Sequence, residues 1–124
     1  MPYTIHWETQ GVYKKYTGEV SGHEFAKAVE HVNAAPNFEI LRYVINDFSD
    51  CRALNLSSSA IEEAVASAIG ASTFNPRFVA AFVAADREIH ATLRRIVELA
   101  SSYMPVMLFD CLTDARTWVK ATET

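Results

Sequence analysis

Three uncharged apolar runs, Tyr43-Val44-Ile45, Phe78 to Ala84 and Val106-Met107-Leu108-Phe109, are separated by stretches with helical periodicity. A strand that is apolar on consecutive positions is covered on both faces, as in a parallel sheet, and parallel neighbours require a long crossover between them. The first run belongs to a β-rich segment, Phe38 to Phe48, read as one central strand. Ahead of it, Tyr3, Ile5 and Trp7 alternate with Thr4, His6 and Glu8, and after Thr9-Gln10-Gly11 a second run follows, Val12 to Thr17. That pattern predicts an antiparallel hairpin. Lys14 and Lys15 must then point to opposite faces, so one long stem lies over the sheet, a placement easiest near an edge.

The helices are marked by caps and stripes. Ser21 and Glu24 stand in capping-box register ahead of Phe25, Ala28, Val29 and Val32, which fall on one helical face, and Pro36 ends that helix. Ser57-Ser58-Ser59 offers three caps for a second helix, with Ser59 and Glu62 in box register and Ile61, Ala64, Val65, Ala68 and Ile69 as its stripe. Asp86 caps a third, whose Ile89, Leu93, Ile96, Val97 and Ala100 face inward, and Thr113 opens a last one with Ala115, Trp118 and Val119 inside. The order ββαβαβαβα predicts an α/β fold. Its five-stranded sheet opens with the antiparallel hairpin and continues as parallel βα units in sequential order, with helices packed on the sheet.

Composition narrows the function. The chain has 124 residues, 50% hydrophobic and 21% charged, with a net charge of −4, the make-up of one compact domain over residues 1–124. Basic and acidic groups are spread evenly, so electrostatics favour neither nucleic acid nor an anionic membrane. The longest stretch free of Asp, Glu, Lys and Arg, Ala64 to Pro76, falls short of the ~20 apolar residues of a membrane span. The first residues lack the basic start and apolar core of a signal peptide, and two cysteines make no disulfide framework; a cytoplasmic location is expected.

At the level of motifs, the hairpin closed by Gly18, the segment Val44-Ile45-Asn46-Asp47-Phe48-Ser49 leading to a serine-capped helix, and the ending Val106 to Phe109 followed by Ala115-Arg116-Thr117-Trp118-Val119 resemble the SpoIIAA-like group of small bacterial proteins, relatives of the STAS domain. The resemblance spans nearly the whole chain. It implies a sheet of about five strands built as successive βα turns, helices packed on it, no cofactor, and a regulatory or ligand- or partner-binding role. STAS domains carry a phosphorylatable Ser or Thr in an Asp-Ser-Ser-Gly type turn where the second helix begins. Here the matching stretch is Asn55-Leu56-Ser57-Ser58-Ser59-Ala60, which keeps the serines, Ser57 and Ser58 being the acceptor candidates, but has neither the acid before them nor the glycine after.

Ligands of parallel sheets bind beyond the carboxyl ends of the strands, where Asp47, Ser49, Asp50, Asp86 and Asp110 are expected to form a rim for a ligand or partner. A divalent cation among the aspartates is the sharper alternative, but no ligand spacing supports it, and Asp serves equally as cap and turn former. His6, His23, His31 and His90 show no metal-binding spacing, so no metal is assigned. Cys51 and Cys111 each follow an expected strand end, where a thiol with His23 as base would make a nucleophile; plain unpaired thiols are the simpler account. Aromatics such as Tyr3, Trp7, Tyr13, Tyr16, Phe74, Phe78 and Trp118 read chiefly as packing. The leading reading is a non-enzymatic STAS-like module that binds a protein partner or small ligand. A carrier holding an apolar ligand between helix and sheet comes second, a cysteine-dependent enzyme last, and a homodimer is left open.

Overall fold

The structure is a computed structural model that describes residues 2–123. Strands β1 (Tyr3–Trp7) and β2 (Gly11–Ser21) form the hairpin and lead to α1 (Gly22–Asn33). There follow β3 (Tyr43–Asn55), α2 (Ser58–Phe74), β4 (Val79–Val83), α3 (Arg87–Ala100), β5 (Val106–Phe109) and α4 (Leu112–Thr122). The sheet order is β1-β2-β3-β4-β5, with β1 antiparallel to β2 and every later pairing parallel. The expected topology is the observed one.

Because the three crossovers advance in one direction across the sheet, their common right-handedness puts α1, α2 and α3 on the same face. Phe25, Ile61, Ile89 and Leu93 of those helices accordingly share a core with Val12, Val44, Phe48 and Phe82. Helix α4 lies outside any crossover and covers the other face, where Ala115 and Val119 meet Ile45, Ala81 and Val83. At the centre of the larger core the rings of Tyr16 and Phe48 stack at 4.1 Å between centroids, with Phe25 and Phe82 around them.

Several local boundaries differ from the sequence reading. Phe38–Ile40 is a turn of 3-10 helix, and the strand begins only at Tyr43. The side chain of buried Asn75 donates to the carbonyls of Phe38 and Leu41, at 2.9 and 2.7 Å, a tertiary contact that overrides the local β preference. β2 runs on past Thr17 to Ser21, and β3 past Phe48 to Asn55, so the two pair as a ribbon beyond the end of β4. Two register shifts, between Lys15 and Thr17 and between Gly18 and Glu19, each give β3 an extra residue. They bring Phe48, Cys51 and Leu54, spaced by three, into one core. Gly18 supplies the positive φ of 66° that this bulged ribbon requires.

The caps and the lysine pair also need correction. Ser57, rather than Ser59, is the N-cap of α2, accepting from the Ala60 N–H at 3.1 Å. α4 starts at Leu112 with Cys111 as its cap, one residue before Thr113. β2 is an inner strand, so Lys14 lies over the middle of the sheet, 2% exposed, instead of at an edge. The expected capping box of α1 is present, Ser21 accepting from the Glu24 N–H and Glu24 from the Ser21 N–H.

A polar clamp ties α4 to the hairpin. Glu8 accepts two hydrogen bonds from Arg116, both 2.7 Å, and a third from the Tyr43 hydroxyl, while the guanidinium lies 5.4 Å over the Tyr13 ring. The Tyr43 ring passes so close to Gly11 that a Cβ there would overlap it. Gly11→Ala should therefore displace the ring and destabilise the protein by about 1–3 kcal/mol in a denaturant titration. The Arg116 guanidinium, helped by the Tyr43 hydroxyl, holds the Glu8 carboxyl below its ordinary value of 4.5 against the opposing effect of burial. A depressed carboxylate pKa contributes stability that is present above the unfolded value and lost as pH falls through the folded one. Wild-type protein should lose stability below pH 4.5 more steeply than Glu8→Gln, which should start about 1 kcal/mol less stable at neutral pH. Parallel acid titrations of the two proteins read both effects.

Candidate functional site

The five rim residues are engaged in local contacts, Asp47 with Ser49 among them. Asp47 is buried on the α4 face, where its carboxylate accepts from the Tyr13 hydroxyl at 2.5 Å and from the Ser49 N–H and hydroxyl at 2.9 and 2.5 Å. Asp50 pairs with Lys15 at 2.8 Å. Asp86 caps α3, accepting from the N–H groups of Glu88 and Ile89 at 3.1 and 3.0 Å, and Asp110 lies 3.3 Å from His90. Ser49 and Asp50, placed beyond a strand end by the sequence reading, sit within β3, where it extends past β4. Among the described residues no three His, Cys, Asp or Glu side chains converge as metal ligands.

The start of α2 has a more distinctive setting. β2 and β3 remain paired to Ser21 and Asn55, the residues from which α1 and α2 depart, so the two helices begin side by side. Gly22 keeps them close, since a Cβ there would lie 3.1 Å from that of Ala60. Ser57, Ser58 and Ser59 are all exposed at this junction, with the Ser57 hydroxyl committed to the cap. The unbonded N–H groups of a first helical turn face this surface and favour negative charge.

The cysteine chemistry finds no built site. Cys51 lies inside β3 rather than after it, is buried in the larger core and donates to the Ala53 carbonyl at 3.2 Å. Burial pushes its thiol up from the ordinary value, the opposite of what a nucleophile needs. Cys111 is exposed at the cap of α4, and both thiols are free. His23, the imagined base, is exposed in the first turn of α1. Of the aromatic residues, Tyr16 and Phe78 are core, whereas Trp7 and Phe74 are 45% and 63% exposed.

One polar feature escaped the sequence reading. Lys14 and Asn46 are neighbours in the β2–β3 register, both buried on the face covered by α1, α2 and α3, and both line a cavity of about 70 Å³. Period-two alternation placed one lysine over the sheet; only the tertiary structure shows that the residue beside it is an asparagine and that space is left above both. Burial alone drives the Lys14 ammonium down to about 7.

The sequence matches no protein-family model and no curated protein. Solved structures do match. The anti-sigma factor antagonist SpoIIAA in its unphosphorylated form superposes with a TM-score of 0.60 at 14% identity, covering 95% of this chain and 97% of that one. An anti-sigma factor antagonist from Mycobacterium paratuberculosis gives 0.61 at 19% identity, over 95% of this chain and 92% of that one. An uncharacterised protein with a SpoIIAA-like fold from Shewanella loihica gives 0.55 at 13% identity, over 94% of this chain and 91% of that one. The likeness runs over almost the full length of each, and the chain has the SpoIIAA-like, STAS-like fold.

Proposed function

We propose that this chain is a non-enzymatic regulatory module that binds a protein partner through the start of α2 and the adjoining rim. The observation that carries the reading is the full-length correspondence of fold with two anti-sigma factor antagonists. The paired beginnings of α1 and α2 add a surface on which serines stand exposed in a favourable field. An anti-sigma factor is the partner class that those neighbours' names point to. Asp47, Ser49, Asp50, Asp86 and Asp110 would flank the contact, while neither a cofactor nor dimerisation enters the reading. Two free thiols suit the reducing cytoplasm, and among the described residues no helix is long and apolar enough to cross a membrane.

A SpoIIAA structure in the phosphorylated form also shares the fold, with a TM-score of 0.57. By analogy, Ser57 or Ser58 is the acceptor if the module is switched by phosphorylation. A phosphate on either would meet free N–H groups at the start of α2, and Ser58 can take one without giving up the cap bond. The Asp and Gly of the related turn are replaced by other residues here, so the switch is the finer part of the reading.

The test is calorimetric titration of the purified chain with the anti-sigma factors encoded in its own genome. Binding by one of them is expected, with Ser58→Asp, Ser57→Asp or both weakening it at least tenfold, about 1.4 kcal/mol. Absence of binding to every anti-sigma factor would overturn the partner assignment. Unchanged affinity in both variants would overturn the serine switch.

A further inference from the structure

Among the described residues Lys14 is a buried amine without a counter-ion. It is 2% exposed, and among the described residues its ammonium meets no hydrogen-bond acceptor or carboxylate; its neighbour is the Tyr16 ring, 5.8 Å to the centroid. Beside it the Asn46 side chain donates weakly to the Ala81 carbonyl at 3.5 Å, while among the described residues its buried Oδ1 has no hydrogen-bond partner. An uncompensated buried charge costs several kcal/mol, and natural cores pair or solvate such groups. Two buried polar side chains, Lys14 and Asn46, face one cavity with bonding capacity left for a polar group that enters it.

The cavity identifies the chemistry of that guest. Apart from Lys14, Asn33 and Asn46 its lining is apolar, and Lys14 is the only lining residue that ionises. A single cation calls for a single negative charge, since a phosphate dianion would leave excess charge in a low-dielectric site. Its volume of about 70 Å³ is that of roughly two water molecules, enough for a carboxylate and the first carbons of a chain. The rest has a path outward. Phe25, Val29, Asn33 and Ala64 are shared with a groove of about 470 Å³ between α1 and α2, and the α2 side of the cavity carries only the small side chains of Ala64, Ala68 and Ala71.

We propose that the cavity binds the head group of an aliphatic monocarboxylate, whose oxygens pair with Lys14 and whose chain leaves along the α1–α2 groove. Asn46 Oδ1 then accepts one of the remaining ammonium N–H groups, which removes two unpaired groups together. The groove reaches Ala60 beside the proposed partner surface, but binding of the head group at Lys14 does not rest on that reading.

Sodium octanoate, octanol and octylamine, titrated calorimetrically against wild-type protein and Lys14→Met, test it. Octanoate should bind wild type at least tenfold more tightly than it binds Lys14→Met, and at least tenfold more tightly than octanol or octylamine bind wild type. The variant replaces an unpaired cation by an apolar stem of similar length and should melt at or above the wild-type temperature. Octanoate affinity should also fall between about pH 6 and about pH 8.5 as free Lys14 loses its proton. The ionisable groups along the outward path are Glu30 of α1 and Glu63 of α2 in the groove, while the Tyr16 hydroxyl, pushed far up by burial, lies outside the cavity lining. Equal affinity of octanoate for wild type and Lys14→Met would overturn the proposal. So would binding of octanol or octylamine as tight as that of octanoate, a comparison made on wild type alone, or no binding of octanoate at all.

Discussion

The handedness of the crossover is the constraint from which the rest of this molecule follows. Strands β2 to β5 step across the sheet in one direction, so right-handed connections stack α1, α2 and α3 on one side. The opposite face would lie bare if the chain ended at β5. Helix α4 fills it, and because it is not held by a crossover it is fastened by side chains, chiefly the Arg116 fork on Glu8 and the Tyr43 hydroxyl. The two faces are thereby built differently, one by topology and one by a polar clamp.

Charge is also treated differently on the two faces. Glu8 and Arg116 sit partly in water, with complementary forks and a tyrosine sharing the carboxylate, an arrangement that stabilises at small desolvation cost. On the other face Lys14 is withdrawn from water with no counter-ion among the described residues, next to an asparagine whose Oδ1 has no donor. Lys15 meets Asp50 and His90 meets Asp110, whereas Lys14 meets no carboxylate among the described residues. The contrast gives the α1–α3 face a binding character that fold similarity does not supply.

The β2–β3 ribbon links the sheet to the proposed partner surface. Both strands run on past the end of β4, so α1 and α2 begin beyond the main sheet. Two bulges let the ribbon continue to Ser21 and Asn55 while Phe48, Cys51 and Leu54 stay buried. The helices then start together, with Gly22 facing Ala60 and the three serines alongside.

Strand order, parallel pairing, the caps at Ser21 and Asp86 and the stripes of α1 and α3 were legible in the sequence, because each depends on residues near one another along the chain and on a fixed period. The rim aspartates were read from the sequence as converging, whereas Asp47, Asp50, Asp86 and Asp110 each answer to a separate partner. The turn at Phe38–Ile40 was hidden because Asn75, distant in sequence, holds its carbonyls. The ribbon was hidden because bulges change the inward spacing from two to three. The meeting of Lys14 with Asn46 above a cavity belongs wholly to the tertiary structure: register sets which residues become neighbours, and the small side chains of α2 set how much space is left over them. By itself the sequence determined the order and nature of the elements, since local periodicity and crossover handedness act through the chain. Only the folded structure decided which charges find partners, since that depends on distances between residues the chain keeps far apart.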